Sequence, residues 1–524
     1  MAADPRTAVE TVTVIVDGKE HKFPKGMNLL EACLSVGVKI PFFCYHPGLS
    51  SPAVCRQCLV EIKGAPKPVP SCYTAVADKM EVTTNSPRVL EIRRQMLEFT
   101  LLNHPIDCPV CDKAGECSLQ RHYFDWDGKL ARNEGDKVRK AKVVDVGKHI
   151  VLDQERCILC TRCIRVCNEV AKSPDLTIAN RGSHSVLTTA PGQRLDNPYS
   201  LNTVDVCPVG ALTAKDFRFA RRAWELCATP SVCPGCATGC SIEIHASRGK
   251  IHRLVPRENP LVNKFWMCDE GRFTYKAVTE NRVRLPSIDG KRATLPAALA
   301  EAARLLGEDL AGAPQRVGVV FSFQATNEDT HVLLRLALDG LKIERVYAGG
   351  RALGGSDTIL VSADKNPNTT GVVRTVPPPL RTLKELTRDL ATGALTTVLV
   401  LGNEALPVAA ATPVTVIVLA SNKGPLVAAA NVVLPIAMWA EVDGSFANKD
   451  GLVQRLHAAV PCPGEALPGW EVLARLGGKL GVEMAYASAS EVFAEAAGRH
   501  GFLKDAVWGD SSRPVQLRFG ESRG

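Results

Sequence analysis

The spacing of apolar and polar positions changes character along the chain. Residues 11–16, Thr-Val-Thr-Val-Ile-Val, alternate and are β-branched; Asp17-Gly18 then supplies a tight turn, so a second strand is expected over 19–24. Asn28, with Glu31 three residues on, predicts a capped helix whose buried face is Leu29, Leu30, Cys33 and Leu34. An amphipathic helix is expected over 88–102, with Leu90, Leu97 and Leu101 on one side and Arg93 and Arg94 elsewhere. Residues 215–225 are helical in pattern and basic (Lys215, Arg218, Arg221, Arg222), read first as a solvated face, with a docking surface as the alternative. Ser241–Ala246 and Lys250–Val255 read as strands joined at Arg248-Gly249. From about 285 the pattern becomes helices near 294–306 and 328–340 alternating with apolar runs at Val317–Phe321, Val398–Leu401, Val414–Leu419 and Asn431–Pro435. Such alternation predicts an α/β domain with a mostly parallel sheet. The Pro-rich piece 365–380 reads as a loop, and the last forty residues as a helix plus a loose tail. The fold class is thus multidomain, α+β followed by α/β.

Composition sharpens this only in part. A chain of 524 residues exceeds one ordinary core, which suggests about three or four domains. No apolar run reaches the roughly 18 residues a membrane span needs. The start, Met-Ala-Ala-Asp-Pro-Arg-Thr, has no basic segment followed by an apolar one, so no secretory signal is expected. A net charge of +8 without a Lys/Arg cluster gives no reason to invoke nucleic acid. The cysteines do change the picture: of 19, all but Cys462 lie at or before Cys268. With no export signal, metal ligation is the expectation and a disulfide framework is not.

Those cysteines fall into four sets. Cys44, Cys55, Cys58 and Cys72 are separated by ten, two and thirteen residues. A hairpin, a helix and then this cysteine loop look like a β-grasp ferredoxin holding a [2Fe–2S] cluster, although the first gap exceeds the plant-type spacing. Cys33 is read as core. His104, Cys108, Cys111 and Cys117 follow with gaps of three, two and five. A lone histidine near a helix end is usually surface or core; beside three cysteines at ligand spacing it becomes the fourth ligand of a [4Fe–4S] cluster. A neutral imidazole in place of an anionic thiolate shifts that cluster's potential. Gly115 permits the tight turn before Cys117. Cys157, Cys160, Cys163 and Cys167, at gaps of two, two and three, have bacterial-ferredoxin spacing, with Zn as the bland alternative. Forty residues on, Cys207-Pro208 followed by small residues closes a ferredoxin half, and in two-cluster ferredoxins each triple run is completed by the other half. Counting back from Cys207, the second triple should occupy 197, 200 and 203, which hold Asn197, Ser200 and Thr203. The expected ligands are therefore Cys157, Cys160, Cys163 and Cys207, with Cys167 left over. Finally Cys233, Cys236, Cys240 and Cys268, at gaps of two, three and twenty-seven, predict an all-cysteine [4Fe–4S] site, with Cys227 structural. No dinucleotide fingerprint, Walker motif or Ser/His/Asp arrangement stands out, so no catalytic residue is expected.

Taken in order, these four motifs resemble the large iron–sulfur subunit of proton-pumping NADH:quinone oxidoreductase, respiratory complex I. The resemblance covers residues 9–285 and runs more weakly beyond, into what looks like a shortened molybdopterin oxidoreductase domain. It implies a [2Fe–2S] domain at 9–86, a histidine/cysteine [4Fe–4S] segment at 87–127 and a degenerate ferredoxin-like domain at 145–225. A molybdopterin-oxidoreductase-type [4Fe–4S] domain at 226–284, an α/β domain without active site at 285–480 and a tail at 481–524 complete the layout. It also implies one [2Fe–2S] and three [4Fe–4S] clusters, the last off the main electron path and pointing to a bacterial complex. Implied partners are an NADH/FMN subunit and other hydrophilic-arm subunits on the cytoplasmic side of the membrane, with no direct membrane insertion. Molybdenum-enzyme likeness recurs at Ile242–Phe273 and at Glu441-Val442-Asp443-Gly444-Ser445-Phe446-Ala447-Asn448 through Gln454-Arg455. Cys462, the only cysteine past 268, stands in a Pro-Cys-Pro loop, so no molybdopterin is expected. A molybdenum-dependent formate dehydrogenase subunit is the alternative, needing a metal ligand and a longer pterin domain. An iron-only hydrogenase would need further cysteines after Cys268.

Overall fold

A computed structural model describes residues 10–126, 132, 135–403, 414–504, 506, 508 and 515–516. The reading of the N-terminal start, the opening residue of the first expected domain and the tail beyond 504, apart from 506, 508, 515 and 516, lie outside the described residues. The described residues divide into two compact units, one formed by those up to Glu225, the other by those from Leu226 to Gln516. Each is taken by itself.

In the first unit the alternating opening forms β1 (Thr11–Val16), which pairs antiparallel with β2 (Lys19–Pro24) through the Asp17-Gly18 turn. Asn28 caps α1 (Leu29–Ser35), accepting from the N–H groups of Leu30 and Glu31. Leu29, Leu30 and Cys33 are buried as expected; Leu34, in the last turn of this seven-residue helix, is exposed. β3 (Leu59–Ile62), β4 (Val69–Pro70) and β5 (Met80–Thr83) complete a mixed sheet of order β2-β1-β5-β3-β4, with β5 parallel to β1. Ser86 caps α2 (Pro87–Leu101), and α3 (Ser118–Trp126) packs against it. Arg93 departs from its expected place: it is buried, donates to the Leu59 carbonyl at 2.8 Å and stacks over the Trp126 ring. Its long aliphatic stem makes this possible at a position a binary pattern assigns to solvent.

The rest of this unit is built from short elements. β6 (Val144–Asp145), β7 (Ile150–Leu152) and β10 (Leu212–Ala214) form a three-stranded sheet, and β8 (Leu176–Ala179) pairs with β9 (Val186–Thr189). α4 (Arg162–Arg165) continues into a π-helical stretch at Val166–Ala171, and α5 (Asn202–Val206) precedes Cys207. The helix expected at 215–225 is absent; those residues form turns and one 3-10 turn at Ala223–Glu225. The basic side chains there have other duties: Arg222 donates to the Cys111 carbonyl at 2.8 Å and Lys215 to the Gly147 carbonyl at 2.8 Å.

The second unit opens with an antiparallel meander, β11 (Cys227–Val232), β12 (Ser241–Ser247) and β13 (Lys250–Pro256), the last pair joined at Arg248-Gly249 as expected. Short helices α6 (Asp269–Arg272) and α7 (Lys276–Thr279) lead to the hairpin of β14 (Ser287–Ile288) and β15 (Lys291–Arg292). The α/β part follows: α8 (Leu295–Gly312), β16 (Val317–Ser322), α9 (Asn327–Leu334), β17 (Arg345–Gly349), α10 (Thr369–Thr375), β18 (Arg381–Thr382), α11 (Leu383–Ala391), β19 (Thr397–Leu401), β20 (Thr415–Ala420), α12 (Pro425–Ala429) and β21 (Val432–Pro435). Its sheet runs β15-β14-β21-β20-β19-β16-β17-β18, parallel from β21 to β18, and its strands are buried on both faces between helices. The helix α10 lies inside the stretch expected to be a loop; Asn368 anchors its start by donating to the Ala325 carbonyl at 2.8 Å, a contact between residues far apart in the chain. β22 (Gly444–Ala447) and β23 (Val453–Leu456) form a separate hairpin, followed by α13 (Gly469–Lys479) and α14 (Ala489–Arg499). Among the described residues no helix is long and apolar enough to cross a membrane.

Candidate iron–sulfur sites

All 19 cysteines are free thiols. The four of the first set converge where the loop after α1 meets β3 and the turn after β4: Cys44 is in hydrogen-bonding contact with Cys55 and Cys72, and Cys58 with Cys72. These contacts hold Cys44 well below the usual thiol range and push Cys55 and Cys72 up, because one thiolate is stabilised by its protonated neighbours. The Phe43 N–H donates to Cys55 Sγ at 3.5 Å. Ala53 and Arg56 hold positive φ (53° and 55°), a conformation costing roughly 1–2 kcal/mol per non-glycine residue. The surrounding structure holds that strain where the loop must curl around its sulfurs.

The second set lines a cavity of about 760 Å³ that includes His104, Cys108, Cys111 and Cys117. Burial lowers His104 to about 4, so its imidazole is neutral, and its buried Nδ1 has no hydrogen-bond partner. An unpartnered buried ring nitrogen on a residue that lines one cavity with three cysteines suits a metal-bound atom. Burial raises Cys117 to about 12 and also raises Cys111. Gly115 has φ +90°, the turn expected of it. Arg156 braces the loop through Asp107, donating at 3.2 and 2.7 Å.

In the third set Cys157, Cys160, Cys163 and Cys207 line one small enclosed cavity with Val209, Ala211 and Leu212. Leu159 and Thr161 take left-handed φ values of 55° and 63° between the cysteines. Burial pushes Cys157 up to about 12 and Cys160 to about 11. Cys167 does not line this cavity; it lies in the π-helical stretch, where its thiol meets the side chain of Asn197. Asn197 also donates to Asp175 at 2.6 Å, and the buried Thr203 hydroxyl donates to the Ser200 carbonyl at 2.7 Å. The three positions where a second triple would stand are thus occupied by a hydrogen-bonded polar group.

One turn serves both of these sites. Cys207 faces the third, while three residues later Gly210 abuts the second: a Cβ at Gly210 would stand 2.3 Å from Cys111 Sγ and 3.3 Å from the Lys113 Cβ. Gly210→Ala is therefore expected to displace Cys111, at a packing cost of about 1–3 kcal/mol, and to deplete the histidine-ligated cluster. Low-temperature EPR checks this; an unchanged signal from that cluster would show the sulfur can move without loss.

The fourth set lies between β11, β12 and α6, where Cys233, Cys236, Cys240 and Cys268 line a cavity with Gly235, Gly239 and Gly271. Backbone N–H groups of Gly235 and Gly271 donate to Cys233 Sγ (3.4 Å) and Cys268 Sγ (3.3 Å), and a Cβ at Gly271 would press on both sulfurs. Burial raises Cys233 and Cys240, and lifts Cys268 to about 11. The 441–455 stretch supports this loop: Asn448 donates to the Thr238 carbonyl at 3.2 Å, and Gln454 donates to the Gly239 carbonyl at 2.8 Å while accepting from Ser241. Cys462 donates weakly to the Glu441 carbonyl, away from these sulfurs.

Among the described residues no three His, Cys, Asp or Glu side chains gather around one point closely enough to hold a single ion. A tetrahedral Zn site needs its sulfurs about 3.8 Å apart, from Zn–S bonds of ~2.3 Å. A cluster differs, since ligands meet separate irons and stand around a void. The residues of the second, third and fourth sets fit such a group, with sulfurs bordering openings, backbone N–H groups donating to those of the fourth and a neutral histidine with an unpartnered nitrogen in the second; in the first set the sulfurs gather against one another.

This is the domain layout of a multi-cluster iron–sulfur protein, and comparisons agree. In chain order the matching families are the 2Fe-2S iron–sulfur cluster binding domain (residues 9–87), the NADH-ubiquinone oxidoreductase-G iron–sulfur binding region (93–126) and the ferredoxin-like domain of NADH-quinone oxidoreductase subunit 3 (147–213). The molybdopterin oxidoreductase Fe4S4 domain (227–280) and molybdopterin oxidoreductase (376–479) follow. An NADH-quinone oxidoreductase subunit of Streptomyces coelicolor is 37% identical over 66% of this chain and 44% of its own length. The NADH-ubiquinone oxidoreductase 75 kDa subunit of Reclinomonas americana is 42% identical over 53% of this chain and 40% of its own. Among solved structures, an NAD+-reducing [NiFe]-hydrogenase is 29% identical, covering 40% of this chain and 91% of that one at a TM-score of 0.37. Over the matched lengths this chain is similar to the iron–sulfur subunits of NADH-quinone oxidoreductase. It spans less than half the length of the curated relatives it matches.

Two features escaped the sequence reading. Arg162 and Arg165, flanking Cys163, are buried, and the strained positions between the cysteines carry no residue-type signal. A charged pair inside a ligand motif was the available hint for the first.

Proposed function

We propose that this chain is an electron relay of NADH:quinone oxidoreductase, taking electrons from an NADH/FMN subunit and passing them toward quinone. In the whole complex that transfer is coupled to proton translocation, and the chain sits peripherally on the cytoplasmic side of the membrane with other hydrophilic-arm subunits. It carries one [2Fe–2S] cluster on Cys44, Cys55, Cys58 and Cys72, within a β-grasp domain. Three [4Fe–4S] clusters sit on His104, Cys108, Cys111 and Cys117; on Cys157, Cys160, Cys163 and Cys207; and on Cys233, Cys236, Cys240 and Cys268. The α/β part is a shortened molybdopterin-oxidoreductase-like domain that binds no molybdopterin. The expected segmentation, 9–86, 87–127, 145–225, 226–284, 285–480 and 481–524, belongs to this reading.

The observation that carries it is His104: a neutral, buried imidazole with an unpartnered nitrogen beside Cys108, Cys111 and Cys117. When bound, the clusters supply one-electron redox chemistry; the protein's own part is to fix their positions and tune them by ligand type, N–H···S bonds and burial. Low-temperature EPR with iron and molybdenum quantitation tests the reading. Two irons from one binuclear centre and four from each of three cubanes are expected; molybdenum near one per chain would favour a formate dehydrogenase subunit instead.

A further inference from the structure

Arg162 and Arg165 stand between the loop carrying Cys44 and the loop carrying Cys157, Cys160 and Cys163. Arg162 donates through Nη1 to the Val206 carbonyl at 3.1 Å, next to Cys207, and through Nη2 to the Tyr45 carbonyl, next to Cys44. Its guanidinium also lies 5.9 Å from the centre of the Phe42 ring. Arg165 donates to the carbonyls of Cys44 and Ser50 and, at 3.4 Å, to that of Cys160. Glu169, one turn on, accepts instead from the Ser50 N–H and hydroxyl.

Both guanidiniums are buried, with relative exposures of 6% and 8%. Arg165 feels the carboxylate of Glu169, whereas no carboxylate is among the groups that act on Arg162. A guanidinium cannot shed its proton to escape this. A buried cation without a counter-charge costs several kcal/mol, so a native fold keeps one where an anion is supplied. The acidic groups that bear on Arg162 are the sulfurs of Cys160, Cys207 and Cys44, drawn from two different ligand sets and thiolates when they ligate iron. Thiolate-ligated clusters carry net negative charge that grows by one electron's worth on reduction.

We infer that Arg162, assisted by Arg165, is a shared counter-cation of the [2Fe–2S] cluster and of the cubane on Cys157, Cys160, Cys163 and Cys207, positioning both loops and raising both reduction potentials. This rests on the cluster assignment above. A cation between two centres favours the reduced form of each, because reduction adds charge of the opposite sign nearby. The histidine-ligated cluster has other bracing, through Arg156 and Asp107, and serves as the internal reference.

The test is an EPR-monitored redox titration of the full chain with its clusters, comparing the parent with Arg162→Gln and Arg162→Lys. Arg162→Gln is expected to shift the midpoints of the binuclear cluster and that cubane to more negative potential, leaving the histidine-ligated cluster unmoved. Arg162→Lys, which keeps the charge and alters the hydrogen bonds, should stay close to the parent. Unmoved midpoints in Arg162→Gln, an equal shift of all clusters, or a lysine variant displaced as far as the glutamine one would each overturn the inference. If Arg162→Gln does not retain both clusters, the same comparison is read from Arg165→Gln against Arg165→Lys. A parent chain lacking either signal would instead sink the cluster assignment itself.

Discussion

Replacing Cys207 by serine is expected to abolish the cubane on Cys157, Cys160 and Cys163 or convert it to a three-iron form, whereas Cys167→Ser leaves the cluster count unchanged. The two residues look alike at first sight: both are buried and both lie near the same motif. They differ in what they face. Cys207 shares a cavity with the three sulfurs, at the end of α5 where the chain turns through Pro208. Cys167 is turned toward Asn197 and Asp175, in a region already filled by hydrogen-bonded side chains. A hydroxyl is a poor substitute for a thiolate at iron, so the first change removes a ligand and the second removes a weakly polar core group. EPR and iron content of the two variants decide the matter; loss of a cubane in Cys167→Ser with retention in Cys207→Ser would reverse the assignment.

The second large effect is expected in the other unit. Glu441→Ala should destabilise it by roughly 3–5 kcal/mol, the usual consequence of stripping one partner from a buried ion pair. Arg282 and Glu441 have side-chain exposures of 1% and 2%, and their contact is bidentate, with Nη2 donating to Oε2 at 2.9 Å. Arg282 also donates to the carbonyls of Ser421 (2.8 Å) and Val278 (3.0 Å), while Glu441 accepts from the Met438 N–H at 2.8 Å. The pair thereby ties the segment after α7 to the end of β20 and the loop after β21. Without the carboxylate, the guanidinium stays charged and buried with carbonyls alone for company. Denaturant unfolding of the full chain, followed with the EPR signals, should show the all-cysteine cluster on Cys233, Cys236, Cys240 and Cys268 lost at lower denaturant than in the parent. Clusters of the first unit should be unaffected. A change under about 1 kcal/mol would mean that water reaches the arginine.

The motif containing Glu441 lies within the stretch similar to molybdopterin oxidoreductase, residues 376–479, and the structure shows what it does here. In sequence, Glu441 through Asn448 with Gln454 and Arg455 reads as molybdenum-enzyme likeness. In the fold, its residues hold other parts of the second unit in place. Glu441 neutralises Arg282, Ser445 donates to buried Glu328 at 2.7 Å, and Asn448 and Gln454 hold the carbonyls of the Thr238–Gly239 turn. Burial raises Glu328 to about 7, so its bonds from Ser445 carry part of the cost of keeping it inside.

The sequence alone determined the elements whose causes are local, and it grouped the cysteines by spacing. Alternation over 11–16, the Asn28 cap, the apolar strand runs and the cysteine spacings are each properties of a few consecutive residues, and ligand spacing is local because neighbouring thiolates must reach neighbouring irons. Even the pairing of Cys207 with the distant triple was legible, since the counting from 207 back to 203, 200 and 197 needs only register. Tertiary structure decided what depends on neighbours distant in sequence. It made a helix of 369–375 and irregular chain of 215–225, turned Arg93 inward and Leu34 outward, and set Gly210 against Cys111. Above all it brought Arg162 and Arg165 between two cysteine sets separated by about a hundred residues, where their buried positive charge rests on backbone carbonyls of both loops.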